Sequence, residues 1–269
     1  MNLTRGFSLV EVMVATTLGA LISAGAITAV AHSRASWAAA EQENRLHERA
    51  QYVFATLEPD LQMAGYFSGP APLPLPLSSI PANAAACGAA VVARVDRAVE
   101  SSDARYPYGC AAQGRGYLPG TDVLIIRRLS ARVPALGDGR LAWLTCLVPD
   151  CTPRLLTGVL PAVPPTHGAA RDLLVRLFYV SRGADGDPET PSLRVKSLSA
   201  VAGTPAFIDT EVMPGVNDLQ VEFQPDAGQP RTVRVTIGVQ PDAADRRAGT
   251  PLRRVSLTRQ FALRNAQVR

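Results

Sequence analysis

The sequence predicts an α+β fold in which one long N-terminal helix packs on an antiparallel β-sheet domain. Three observations predict it: an apolar run at residues 7–31, an apolar stripe of helical period after it, and a series of short strand-like segments separated by turn residues. The chain has 269 residues, of which 47% are hydrophobic, so it is long enough to bury a core.

The apolar run at residues 7–31 is long enough to cross a bilayer as a helix, and Glu11 is its only charge. Arg5 lies on its N-terminal side, so the positive-inside rule leaves the short N-terminus in the cytoplasm and exports the remainder. The alternative is a cleavable secretory signal, because Ala29-Val30-Ala31 offers a cleavage pattern. That alternative is disfavoured because the run exceeds the usual signal length and would carry a costly carboxylate.

The segment Gly6-Phe7-Ser8-Leu9-Val10-Glu11 resembles the class III signal of type IV prepilins. The resemblance implies that a membrane aspartyl peptidase cuts between Gly6 and Phe7 and methylates the new amine of Phe7. In hydrocarbon, Glu11 and the N-terminal ammonium of a neighbouring subunit are each costly alone and far less so together, so their pairing would set the register between helices. The alternative is that Glu11 lies at the cytoplasmic headgroup level near Arg5.

The region from residue 33 to 65 is predicted to continue the helix outside the membrane. Pro59 is expected to kink or break this helix near Glu58, and Gly65 is expected to terminate it. The predicted buried stripe recurs every three or four residues and consists of Leu46, Ala50, Val53, Leu57, Leu61 and Ala64.

The run Glu43-Asn44-Arg45-Leu46 and the later Met63-Ala64-Gly65-Tyr66 resemble the PilW subfamily of minor pilins. This resemblance implies a pilin-like fold and a non-enzymatic subunit that helps to initiate type IV pilus assembly and lies at or near the tip. It implies other minor pilins, the major pilin, the prepilin peptidase, the inner-membrane assembly platform and the lipid bilayer as partners. The implied location is the bacterial inner membrane with a periplasmic C-terminal domain, and then the fibre. Two alternatives are a minor pseudopilin of a type II secretion system and a fibre-displayed receptor for DNA or adhesion.

The chain divides into a leader at residues 1–6, a transmembrane half-helix at 7–31, an amphipathic periplasmic helix at 32–66, a proline-rich loop at 67–88 and a β-rich domain at 89–269. The strands are predicted at 89–95, 122–128, 141–148, 173–181, 192–199, 219–224, 232–240 and 255–263.

The four cysteines lie beyond the apolar run, where an oxidising periplasm favours disulfides. Three pairings are open, and Cys87 with Cys110 and Cys146 with Cys151 are favoured because short loops close most easily. A zinc site is disfavoured because the sequence has no CxxC motif and no histidine near a cysteine pair.

The sequence shows no common catalytic motif, and its three histidines (His32, His47 and His167) offer little material for acid–base chemistry. No cofactor is expected. Asp185, Asp187 and Glu189 lie at alternating positions of one loop and form a weak candidate for a calcium site. The alternative interpretation of this loop is a solvated turn.

The net charge of +4 comes almost wholly from arginine, because Lys196 is the only lysine. Nucleic-acid binding is not expected, since a basic patch with interleaved aromatic residues is lacking. The C-terminal arginines that could still form a basic face are Arg246, Arg247, Arg253, Arg254, Arg259 and Arg264.

Overall fold

The computed structural model describes residues 8–67, 74–131, 139–146, 154–156, 168–224, 231–241 and 254–265. The chain forms two units, Met1–Arg45 and Leu46–Arg269. Helix α1 (Leu9–Gln62) begins in the first unit and ends in the second. The predicted α+β class with a long N-terminal helix on antiparallel sheets is therefore confirmed.

The second half of α1 buries the predicted stripe. Leu46, Ala50, Val53, Leu57, Leu61 and Ala64 all have an exposed fraction of 0%. Phe54, which the stripe did not include, is buried beside them and its ring lies 6.1 Å from that of Phe261. The helical period therefore predicted the face that packs on the sheets, because only positions three or four apart share one side of a helix.

Of the kink or break predicted near Glu58, the break is wrong, because α1 continues through Pro59 to Gln62. The proline removes one backbone donor, but its own carbonyl accepts the N–H of Met63 at 3.2 Å. Leu57 and Leu61, on either side, are fully buried, so tertiary packing outweighs the local cost. The helix ends at Gln62, three residues before the predicted terminator Gly65, which lies in the following turn with a φ of +75°.

The described residues contain ten strands in two antiparallel sheets. The larger sheet has seven strands in the order β1-β2-β5-β3-β4, with β6 also paired to β5 and β7 paired to β6; the smaller has the order β10-β9-β8. The strands are β1 (Val99–Ser102), β2 (Val123–Leu129), β3 (Ala142–Cys146), β4 (Arg154–Leu156), β5 (Gly168–Ser181), β6 (Ser192–Val201), β7 (Thr204–Pro214), β8 (Val216–Gln224), β9 (Thr232–Val239) and β10 (Val255–Ala262).

One strand prediction is wrong, because residues 89–95 form the short helix α2 (Ala89–Ala93) instead. Val91, Val92 and Ala93 are buried, and a short apolar run of this kind fits a helical turn as well as a strand. The remaining predicted strands all overlap observed ones. Before α2, the chain forms two 3₁₀ turns, Leu77–Ser79 and Ala84–Cys87, which agrees with the absence of regular helix expected for the proline-rich loop.

Strand β2 is buried on both faces. Leu124 and Ile126 join the core against α1, whereas Val123 and Ile125 join a second core beneath α2 and the preceding 3₁₀ turn. This explains why residues 123–126 form an uninterrupted apolar run rather than an alternating one.

Candidate functional site

The start of α1 presents Glu11 in its first turn. The carbonyl of Ser8 accepts the N–H groups of Glu11 and Val12 at 3.0 and 3.2 Å, which places the carboxylate close to the positive end of the helix dipole. The Glu11 side chain is exposed. Gly6 and Phe7 lie outside the described residues, so cleavage between them and methylation of Phe7 stay predictions.

The part of α1 that lies in the first unit exposes apolar side chains on all sides of the helix. Leu9, Met13, Leu21, Ile22 and Ile27 are each 60% or more exposed. Within α1, an 18-residue window has a mean hydropathy of 1.8 and none of it is buried, so this helix is long and apolar enough to cross a membrane. A surface of this kind requires lipid or other apolar helices to cover it.

Glu11 is the only acidic side chain on this apolar part of α1, which runs from Leu9 to Ala31. A carboxylate surrounded by hydrocarbon is costly unless a cation lies beside it. Covering the apolar helix with lipid or other helices would therefore favour either a cationic partner for Glu11 or a position of Glu11 at the headgroup level.

In the second unit, ion pairs connect α1 to both sheets. Asp60 is buried, and its carboxylate accepts Arg128 at 2.8 Å and Arg176 at 2.5 Å. A second pair, between Glu58 and Arg259, has a length of 3.2 Å and is far more exposed. The helix therefore has a buried ionic contact with the larger sheet and an exposed one with the smaller sheet.

The structure joins Cys87 to Cys110, which is the pairing that the short-loop argument favours. This disulfide links the 3₁₀ turn before α2 to the loop that follows β1. Cys146 is the last residue of β3 and is disulfide-bonded. Cys151 lies outside the described residues, so the pairing of Cys146 with Cys151 stays a prediction.

The three carboxylates of the calcium candidate have separate partners. Asp185 pairs with Arg194 at 2.7 Å, Glu189 pairs with Arg115 at 2.8 Å, and Asp187 accepts hydrogen bonds from the hydroxyl of Thr190 and the backbone N–H of Glu189. Among the described residues, no three His, Cys, Asp or Glu side chains form a group that could hold a metal ion. The alternating spacing thus builds an ion-paired turn, not an oxygen cluster.

Sequence reasoning missed a buried polar network on β5, β6 and β7. The Asp209 carboxylate accepts hydrogen bonds from Lys196 at 2.6 Å, from Arg194 at 2.7 Å and from the hydroxyl of Tyr179 at 2.7 Å. Lys196 and Arg194 are each only 4% exposed. Lys196 lies directly opposite Asp209 across β6 and β7, but nothing in the sequence indicates this register.

Hydrogen bonds shift the titration of this network. Burial alone would raise the pKa of Asp209, but hydrogen bonds from Lys196, Tyr179 and Arg194 outweigh burial and hold the pKa below its ordinary value. Burial, followed by the hydrogen bond to Asp209, raises the pKa of Tyr179. The carboxylate therefore stays ionised and the phenol stays protonated near neutral pH, which suits a structural role in holding three strands together.

The remaining predicted residues do not converge on one site. The guanidinium of Arg259 lies 5.9 Å from the ring centres of Phe54 and Phe261. Arg259 therefore packs against α1, which carries Phe54. Arg254 and Arg264 are exposed and lie at opposite ends of β10. His32 and His47 lie on α1. His167, Arg246, Arg247 and Arg253 lie outside the described residues.

The family model of the prokaryotic N-terminal methylation motif matches residues 1–27. Comparison with curated proteins and with solved structures gives no match. The matched segment contains Glu11 and most of the exposed apolar helix. The methylation motif, the apolar helix and the α+β domain together support a prepilin-like protein, either a type IV pilin or a pseudopilin, that associates with pilus-type components and with a membrane.

Proposed function

We propose that this chain is a minor pilin that helps to initiate type IV pilus assembly and lies at or near the pilus tip, without enzymatic activity of its own. The observation that carries the proposal is the methylation motif at residues 1–27, which opens a helix whose apolar side chains are exposed all round. The same helix ends on a folded α+β domain. Such a chain can be held in a membrane first and in a helical bundle afterwards, because both environments cover an apolar helix.

Cleavage between Gly6 and Phe7 would create the charge that Glu11 needs. The new ammonium of Phe7 and the carboxylate of Glu11 in the next subunit would each be strongly disfavoured alone in an apolar bundle. Their pairing would favour one axial offset between neighbouring helices. We infer that Glu11 selects the register in which this subunit enters the fibre.

The proposed location is the inner membrane, with the β-sheet domain in the periplasm before the subunit enters the fibre. The disulfide between Cys87 and Cys110 supports export of the domain, because such bonds persist in oxidising compartments. The proposed partners are the prepilin peptidase, the inner-membrane assembly platform, other minor pilins and the major pilin.

The experiment that tests the proposal is N-terminal sequencing and intact-mass measurement of the protein extracted from its native membrane, with and without the prepilin peptidase. A peptidase-dependent start at methylated Phe7 is the expected result. The matched variant Gly6→Val should leave Met1 in place even when the peptidase is present. A start after Ala31, or an uncut chain in the presence of the peptidase, would overturn the proposal.

A second measurement separates the pilus from type II secretion, since the methylation motif supports both classes. Deletion of the gene should reduce the number of surface fibres and leave exported enzymes in the culture medium unchanged. Loss of exported enzymes with normal fibres would assign the chain to the pseudopilins instead.

A further inference from the structure

A cleft of about 490 Å³ lies beside β1, the first strand of the larger sheet. Cys87, Val91 and Arg94, from the 3₁₀ turn and α2, line it together with the consecutive residues Glu100–Asp103 of β1 and the turn after it. This volume lies within the range of sites that hold a ligand. Ile125 and Arg127 of β2 line it as well, so the cleft covers the face of β1 and β2 that α2 overlies. Because neighbouring residues of a strand point to opposite faces, the four consecutive lining residues indicate that the cleft also reaches the outer edge of β1.

The edge of β1 that faces away from β2 carries unpaired backbone groups. The N–H of Arg127 donates to the carbonyl of Ala98 directly opposite at 2.8 Å, so alternate β1 residues, counted from Ala98, bond to β2. The N–H and C=O groups of Val99 and Ser101 therefore point outward. Within the described part of the chain, these outward groups have no hydrogen-bond partner.

The edge strand β7, which pairs with β6 alone, is protected, whereas β1 is not. Ala202 and Gly203, both with positive φ, form the two-residue turn between β6 and β7, and this turn makes Pro205 an outward-facing position of β7. Pro205 lacks the donor that a further strand would need, and Pro214 ends β7 in the same way. Strand β1 has no proline, so its edge can still accept a partner.

Three guanidinium groups (Arg94, Arg105 and Arg127) and two carboxylates (Glu100 and Asp103) line the cleft. Arg94 and Arg127 converge on Glu100 at 2.9 and 3.0 Å, and Arg97, which does not line the cleft, lies 3.7 Å from the same carboxylate. Arg105 also lines the cleft, is exposed, and has no ion-pair partner among the residues that the structure describes. An acidic side chain placed here would gain charge-assisted hydrogen bonds that the chain itself does not supply.

We propose that this cleft binds an extended, acidic segment of another polypeptide, which adds as a further strand to β1. The backbone groups of Val99 and Ser101 would supply the strand hydrogen bonds, and Arg94 and Arg105 would select a carboxylate side chain. The disulfide between Cys87 and Cys110 fixes the facing wall in advance, which lowers the ordering cost of binding. A small anion would use the arginines but leave the strand edge unpaired, which is why a peptide is the favoured occupant. The inference is independent of N-terminal processing.

The test uses the detergent-solubilised full chain and a fluorescent synthetic peptide of about eight residues with alternating valine and glutamate, a length that matches a short added strand. Anisotropy should show saturable binding. Arg105→Glu should weaken it by at least about tenfold, because a repulsive charge replaces an attractive one, and Ser101→Pro should do the same by removing an outward donor. The matched controls Arg234→Glu and Thr258→Pro, on exposed positions of β9 and of the outer edge of β10, should bind as the parent chain does.

The remaining arms decide what occupies the cleft. The same peptide methylated on alternate backbone nitrogens should not bind, since it cannot form the ladder. If the methylated peptide binds equally well, or if inorganic phosphate alone displaces the peptide and shows the same Arg105→Glu sensitivity, the site is a small-anion site and strand addition is overturned. Equal binding by all four variants, or no binding of the peptide, would overturn the proposal as well. Circular dichroism spectra of the variants show whether each has folded, and Arg105→Glu keeps the test decisive if Ser101→Pro does not fold.

Discussion

Asp60 and Arg128 lie 68 residues apart and form a 2.8 Å ion pair in which the carboxylate is only 2% exposed. Two residues earlier on the same helix, Glu58 pairs with Arg259 at 3.2 Å with 38% and 45% of the two side chains exposed. One helix thus carries a buried and an exposed ionic contact to the sheets, and the two can be compared directly.

The substitution Asp60→Ala is expected to lower the free energy of unfolding by about 3 kcal/mol, because it leaves Arg128 and Arg176 without their carboxylate partner beside a buried helix face. Glu58→Ala is the matched control and should cost less than about 1 kcal/mol, as exposed pairs do. Urea unfolding of the solubilised chain, followed by circular dichroism, measures both. Equal losses for the two variants would show that burial does not set the strength of this contact.

Gly65→Ala tests the close approach at the end of α1. A Cβ there would lie 2.8 Å from the carbonyl oxygen of Asn265, and the glycine has a φ of +75°. Gly120 has a φ of +87° with nothing within 4 Å of the same atom, so Gly120→Ala measures the backbone strain alone. We expect a loss of about 1 kcal/mol for Gly120→Ala and a clearly larger loss for Gly65→Ala. Similar midpoints of thermal unfolding would refute the steric part of this explanation.

Removal of the disulfide with Cys87→Ala and Cys110→Ala together should destabilise the folded domain by about 3 kcal/mol, because the bond closes a loop of 23 residues in the unfolded chain. The double variant is compared with the parent by urea unfolding, and with the parent treated with dithiothreitol. A parent whose stability does not change when Cys87 and Cys110 are shown by mass spectrometry to be reduced would contradict the prediction.

Asp209→Asn should remove part of the acid sensitivity of the fold. The pKa of Asp209 is lowered in the folded state, so its contribution to stability is fully present above the unfolded pKa of about 3.9 and is lost as the pH falls through the lower folded value. The parent and the variant should therefore differ at pH 7 and converge below about pH 4. Urea midpoints measured across this range test it. Asp96→Asn, at an exposed position, should leave the acid limb of the parent unchanged.

Glu11→Gln should leave membrane insertion and cleavage intact but prevent entry into the fibre, because a neutral amide cannot neutralise the ammonium of a neighbouring subunit. The measurements are the start residue of the membrane form and the amount of the chain in sheared surface fibres. Glu11→Asp, which keeps the charge, should retain partial incorporation. Normal incorporation of the glutamine variant would show that Glu11 has no role in register.

The helical part of the fold could be predicted because its signal is local and repeated. Leu46, Val53 and Leu61 recur on one side of a helix, and all are fully buried. The alternation in β9 is equally local, with Val233, Val235 and Ile237 facing the core. Patterns of this kind depend only on spacing along the chain, so one sequence suffices to find them.

The errors and omissions arise where the signal is long-range or ambiguous. The run at 89–95 is too short to separate a helix from a strand. Three strands were not predicted: polar residues interrupt any alternation in β1 and β7, and β4 has only three residues. Pro59 does not break α1, because Leu57 and Leu61 on either side of it are buried, and this tertiary packing leaves no local signal in the sequence. The contact between Asp60 and Arg176 spans 116 residues, so only the folded chain can bring these two charges together.

The burial of Lys196 determines how this protein can be handled chemically. It is the only lysine in the chain. The residue is only 4% exposed, and its ammonium forms an ion pair with Asp209. Amine-reactive dyes and crosslinkers would therefore find one accessible target at most on the native protein, the α-amino group at its start. Labelling of that group would report on the N-terminus alone, and modification of Lys196 would become a direct signal that β6 and β7 have separated.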